Sequence, residues 1–309
     1  MSDAMPEQIT DPGETGFDRI LRFTIPDRDA RGRVVRIGPV LNTILAAHAY
    51  PGAVKRLLAE ALVITALIGS LLKDDTVESG GQLTMQAQTD GGVIELLVCD
   101  YRAGELRGHV RFDRSKLDDL GPNPSLLALF DGGYLAITFD LVGTGKRYQG
   151  IVPLEGDSLA KACALYFFQS EQVPTLLRVA VGLEGDAWTA GGLLVQHLPD
   201  GEEGRERLHA QLDHPEWEHV AALAGSTHDA ELLDPGLGLE SLVWRLFHEE
   251  REVRIEHGAG LTRGCRCNVD HYREILARFP TDERVAMRDD EGLIQVDCAF
   301  CSRVFDIDL

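Results

Sequence analysis

Leu83-Thr-Met-Gln-Ala-Gln and Ile137-Thr-Phe-Asp-Leu alternate apolar and polar residues, the period of strands with one face buried. Two longer stretches repeat at helical spacing instead. The first, Ala53 to Lys73, contains the apolar run Ala61 to Leu72 (ALVITALIGSLL). That run falls short of the roughly 20 residues a bilayer helix needs and reads as a helix buried in a core. The second, Asp157 to Gln172, opens at an Asp157 or Ser158 cap and must end before Pro174. Strands come in neighbouring runs rather than in regular alternation with helices, and no repeat of fixed period is present. From Phe17 to about Leu198 the pattern therefore predicts an α+β domain with antiparallel sheets and packed helices.

The pattern changes at Pro199. Between Pro199 and Gly260 lie fifteen Asp and Glu residues against five Arg and no Lys, together with six of the chain's ten histidines. Two short amphipathic helices are predicted there, His209 to Leu223 and Leu239 to Glu249, with Trp217, Trp244 and Phe247 as anchors. Pro235, Gly236 and Gly238 break the pattern between them. The stretch reads as a helical linker that packs weakly, with its histidines exposed on polar faces. At the other end, MSDAMPEQITDPGETG has neither a basic start nor an apolar run, so it reads as a loose acidic tail and not a secretory signal. Four stretches result: a flexible tail (1–16), a large domain (17–198), an acidic helical linker (199–260) and a small C-terminal domain (261–309).

Composition narrows the function classes. With 44% hydrophobic and 26% charged residues the chain reads as soluble and globular, without membrane association. A formal net charge of −20 argues against a sequence-independent grip on nucleic-acid phosphates, which rests on clustered Lys and Arg. Without an export signal the expected compartment is the reducing cytoplasm. There, grouped cysteines are more often metal ligands or redox centres than structural disulfides.

The chain has six cysteines, and four of them form two pairs near its end. Cys265-Arg-Cys267, thirty intervening residues and Cys298-Ala-Phe-Cys301 supply four soft sulfur donors, the number a closed tetrahedral zinc site uses. The CxxC half is a familiar zinc turn; the CxC half works if the chain is extended, because residues i and i+2 of a strand point to one side. His257 and His271 flank the CxC pair and are the alternative donors. Cys99 and Cys163 lie within apolar patterns and read as small buried hydrophobes. The last 49 residues offer few core candidates: Val269, Tyr272, Ile275, Leu276, Phe279, Leu293, Ile294, Val296, Phe300, Val304 and Phe305. A segment so small needs the ion to fold. Thiolates are also the form that peroxide and hypochlorite attack, so the site is either a permanent zinc knuckle or a redox switch.

At these cysteines the sequence resembles the redox-regulated 33 kDa chaperonin family, heat-shock protein 33, whose members end in CxC, a spacer of about thirty residues, and CxxC. Tyr148-Gln-Gly-Ile-Val-Pro-Leu, Tyr166-Phe-Phe-Gln-Ser-Glu-Gln followed by Pro174-Thr175, and Ala190-Gly-Gly-Leu-Leu-Val-Gln-His-Leu-Pro199 are similar to segments of that family. The resemblance implies an ATP-independent holdase, not an enzyme, idle while reduced with one zinc per chain on Cys265, Cys267, Cys298 and Cys301. It also implies activation by oxidative stress: disulfides form between Cys265 and Cys267 and between Cys298 and Cys301, zinc leaves, and the small domain and linker unfold. The implied partners are unfolding client proteins and, in the active form, a second copy of the chain. A Cys265–Cys267 bridge would span alpha carbons about 6.6 Å apart in a fully extended strand, near the limit of disulfide geometry. Such a strained bridge is easily reduced. The three family segments also have plain structural readings: a helix end before a proline stop, and a strand whose glycines permit close backbone approach.

Two other classes compete on the residues alone. A zinc-ribbon adaptor for nucleic acid would want a basic face, yet Leu261 to Leu309 holds ten acidic residues against seven Arg. A thiol oxidoreductase would place Cys298-Ala-Phe-Cys301 at a helix start, whereas Ser302 to Leu309 reads as a terminal strand. Gly143-Thr-Gly145-Lys lacks the spacing of a nucleotide-binding loop and reads as a turn between strands.

Overall fold

Helix α2 (Gly52–Gly69) runs between two sheets and is buried almost all round. In this computed structural model the described residues are 16–72, 81–141, 145–198 and 214–308; the predicted acidic tail, residues 143 and 144 of the expected turn and the start of the linker lie outside them. The first sheet runs in the order β10 (Arg254–Gly260), β1 (Arg19–Ile25), β2 (Ala30–Ile37), β9 (Ala187–His197), β8 (Thr175–Glu184). The second runs β11 (Thr262–Arg263), β5 (Glu105–Phe112), β4 (Ile94–Arg102), β3 (Gln82–Gln88), β6 (Tyr134–Leu141), β7 (Lys146–Pro153). Every ladder is antiparallel except the two-residue pairing of β11 with β5. The expected α+β architecture is thus present.

The alternation read in the sequence sets the faces. In β3, Leu83, Met85 and Ala87 point into the core while Gln82, Thr84, Gln86 and Gln88 point away. The core around α2 gathers Val35, Ile37, Leu97, Ile137 and Leu194 from both sheets. α1 (Pro39–Leu45) and α5 (Leu159–Tyr166) close its sides, and α3 (Arg114–Asp118) and α4 (Leu126–Phe130) are single turns capped by Asp113 and Ser125. α5 starts at the Ser158 cap, widens over Phe167–Glu171, and stops at Gln172 with φ 54°, before Pro174. α2 ends at Gly69 rather than Lys73, because the chain turns at Ser70.

The linker differs from its expectation. α6 (Pro215–Gly225), α7 (Asp229–Leu233) and α8 (Leu239–Phe247) lie on the outer face of the first sheet and form a second core. Val220, Leu232, Leu242, Val243 and Phe247 meet Leu21, Phe23, Val34, Leu193 and Val195 there. Weak packing was expected because acidic residues dominate the count; their apolar neighbours nevertheless share one face. Trp244, expected as an anchor, is 67% exposed. Leu239, Leu242, Val243, Leu246 and Phe247 take the buried positions, which leaves Trp244 on the opposite side of α8, stacked on His248. α7 went unread because it is one turn long, and Arg254–Gly260, read as linker, is a strand. Nor are the linker histidines all idle: His219 bonds Glu250 and His257 contacts Arg19.

The C-terminal residues form α9 (Val269–Leu276), α10 (Thr281–Ala286) and a hairpin of β12 (Ile294–Asp297) and β13 (Val304–Ile307). Their core is small: Leu276, Ile294 and Ile307 are buried, with Val269, Tyr272, Val296 and Phe305 packed against them. Ile275, Phe279 and Val304, proposed as core candidates, are exposed. Among the described residues no helix is long and apolar enough to cross a membrane.

Candidate metal centre

Two short backbone devices bring the four cysteines together. The first holds the CxC arm extended beside β5. Gly264 donates its N–H to the Leu106 carbonyl at 2.8 Å, and a Cβ at Gly264 would stand 2.4 Å from the Glu105 side chain, so only glycine lets the arm run this close. Asn268 then caps α9, its side chain accepting from the His271 N–H at 2.8 Å, which turns the chain away immediately after Cys267. The second device is the turn of the β12–β13 hairpin, which carries Cys298 and Cys301. Its ends are tied by Cys298 N–H to Arg303 and by Ser302 N–H to Cys298, with Ser302 at φ 55°.

The resulting sulfur positions are those of a metal shell. Cys265 Sγ lies 3.2 Å from Cys267 Sγ and 3.6 Å from Cys298 Sγ, and Cys267 Sγ lies 3.5 Å from Cys301 Sγ. All four fall within 4.8 Å of one another. A tetrahedron of 2.3 Å zinc–sulfur bonds has edges of about 3.8 Å, so small side-chain shifts would let these four thiols hold such an ion. His257 and His271 are outside the cluster. His257 contacts Arg19 at 3.1 Å and Glu240 at 3.5 Å, and the His271 ring stacks obliquely on Tyr272.

The thiols are not equivalent. Burial pushes Cys267 and Cys301 upward, and for Cys267 the neighbouring sulfurs add to it. Burial acts the same way on Cys298 but is outweighed: the Tyr272 hydroxyl and the backbone N–H groups of Cys301 and Phe300 point at its sulfur and bring it down to about 6. Cys298 is therefore more readily ionised than Cys267 or Cys301. Tyr272, read as a core residue, owes its importance here to its hydroxyl.

The centre is seated on the second sheet. Phe300, between the hairpin cysteines, lies under the Arg107 guanidinium at 4.0 Å, and Arg107 is held by Asp100 at 2.6 Å. His48 bonds the Ala299 carbonyl at 2.8 Å, and Ser302 Oγ donates to the Ala47 carbonyl at 2.6 Å. Arg266, between the other two cysteines, donates to Gln82 of β3. These seat residues went unread because sequence spacing carries no sign of which distant strand a loop will touch. Asn268 did leave a signal, a capping residue directly before a periodic run.

Cys99 and Cys163 sit in the core around α2, fully buried, and burial drives both thiols far above their ordinary range. In metal-free, reduced protein a thiol reagent at neutral pH is expected to label Cys265, Cys267, Cys298 and Cys301 promptly and the other two only in denaturant. Mass spectrometry of labelled peptides checks this; early labelling of Cys99 or Cys163 would show that the core opens.

Fold and site together define an α+β protein with two sheets around a central helix and a four-thiol knuckle docked on one of them. A family described as Hsp33 protein matches residues 18–308. The 33 kDa chaperonin of Caulobacter vibrioides is 38% identical over 94% of this chain and 95% of its own. That of Ectopseudomonas mendocina is 35% identical, covering 93% and 91%, and that of Shigella boydii 33%, covering 92% and 90%. The crystal structure of the 33 kDa chaperonin (heat shock protein 33 homolog) from Thermotoga maritima shares the fold, with a TM-score of 0.75, 21% identity and 94% of each chain covered. The chain belongs to the Hsp33 family.

Proposed function

We propose that this chain is a redox-regulated, ATP-independent holdase of the cytoplasm. The observation that carries the reading is the position of the four-thiol cluster, at the end of a strap that joins it directly to both sheets. Zinc, when bound, would hold the sulfurs as thiolates and tie the CxC arm to the hairpin. Oxidation of each neighbouring pair by a peroxide forms one S–S bond, reduces the peroxide to two waters and consumes two protons per pair of thiolates. The pairs are Cys265 with Cys267 and Cys298 with Cys301, and all four donors are lost once both have reacted.

Loss of the knuckle removes the anchor of β11 and loosens the linker, whose inner face and the sheet beneath it are apolar. That surface suits unfolding client proteins, and an apolar face of this kind is also where a second oxidised copy of the chain would associate. The names of the relatives, 33 kDa chaperonin, support client binding over catalysis.

Metal content, free thiols and light scattering of a denatured client, read before and after peroxide with mild heating, test the reading. About one metal per chain is expected to leave, by the one-ion stoichiometry of four thiolates, and only the oxidised form is expected to suppress aggregation. Equal suppression by both forms would leave a constitutive zinc-knuckle module in place of a switch.

A further inference from the structure

Arg36 stands in β2 on the face the linker covers, and its side chain is fully buried. It donates three hydrogen bonds, all to backbone carbonyls of the linker: Nε to Leu232 at 2.8 Å, Nη2 to Glu231 at 2.9 Å and Nη1 to Leu237 at 2.9 Å. Glu231 and Leu232 belong to the last turn of α7, where carbonyls lack helical partners and carry partial negative charge. Asp234 supplies the opposing full charge. Directly across the ladder, Arg36 pairs with Gly191 of β9, and a Cβ at Gly191 would lie 2.2 Å from the Leu232 carbonyl oxygen. The same carbonyl is thus reached by a guanidinium from one strand and by bare backbone from the next.

We infer that Arg36, with Gly191, is a lock that positions the linker on the first sheet separately from the metal centre, which is seated on the second. Apolar packing tolerates sliding, whereas a three-pronged contact to fixed carbonyls does not. A buried guanidinium stripped of its acceptors is costly, so partial lifting of α7 is disfavoured and the segment is either down with all three bonds or raised far enough for water to reach Arg36. Its weight for activity rests on the holdase reading; the lock as such does not.

Hydrogen exchange on the reduced, metal-loaded full chain tests it. In Arg36→Met, amides of residues 215–247 are expected to exchange about tenfold to a hundredfold faster than in the parent, the loss of bonds to a charged donor. Amides of β3, β4 and β6, metal content and thiol protection stay unchanged. Because methionine can repack into the space, Gly191→Ala attacks the contact from the other strand with Arg36 intact, and the same segment is expected to loosen. Arg36→Lys, which keeps the charge but not the fork, falls between parent and Arg36→Met. Parent-like exchange of 215–247 in both Arg36→Met and Gly191→Ala overturns the lock, and so does uniform loosening of both sheets. Client protection measured on the same variants reads the holdase separately: a loosened linker that protects no client counts against that reading and leaves the lock standing.

Discussion

Chelating the metal from reduced protein is expected to unfold residues 261–308 while the two sheets stay folded. Beyond Leu261, which packs into the main core, the C-terminal segment's own core is Leu276, Ile294 and Ile307, with four partly buried residues around them. Its hairpin and CxC arm meet at the sulfurs, and β11 holds to β5 by a two-residue pairing. A structural zinc in a small domain contributes on the order of 10 kcal/mol, as much as the whole stability of a typical domain. Little else in the segment can replace that. Limited proteolysis and circular dichroism, before and after chelation with a reductant present, provide the check. Protease resistance of residues 265–305 in the stripped, reduced protein would show that the knuckle stands on packing alone, and the switch would lose its physical basis.

A second large effect is expected from Phe247→Ala. Phe247 is fully buried at the end of α8 and its ring lies 5.4 Å from that of Phe23 in β1, an aromatic contact between linker and sheet. Truncating a buried phenylalanine costs about 3–5 kcal/mol through lost transfer energy and the cavity left behind. Here that loss falls on the attachment of the α6–α8 layer. The reduced, metal-loaded variant is expected to unfold its linker at lower denaturant than the rest of the chain and to suppress client aggregation without oxidation. Two-probe denaturation with light scattering decides it. A single unfolding transition at the parent midpoint would place the linker's anchorage elsewhere.

What the sequence disclosed and what it hid follow from the range of the forces involved. Strict alternation in Leu83 to Gln88 and the unbroken apolar run of α2 specify burial locally, and both elements stand where the pattern puts them. The four cysteines were legible because two close pairs of soft sulfur donors match the four donors of a closed metal shell. The glycines read as permitting close backbone approach do so: Gly191 admits the Leu232 carbonyl and Gly192 the side chains of Val63 and Leu67. The linker's tight packing was masked by its charge, since net charge reports on the solvent side of a helix and not on the face it buries. Phe300 reads in the sequence only as a core candidate and Arg266 carries no reading; the tertiary seat, Arg107 for one and Gln82 for the other, gives them their place.

The strap between the sheets couples them through very little chain. Leu261, buried and bonded through its N–H to the Asp18 carbonyl, is the one residue separating β10 of the first sheet from β11 of the second. Release of the arm carrying Cys265 would leave the Gly260 end of β10 held by that bond and by a pairing whose register shifts between Arg19 and Leu21. Leu261 is thus the single residue through which a freed C-terminal segment would stay joined to the first sheet.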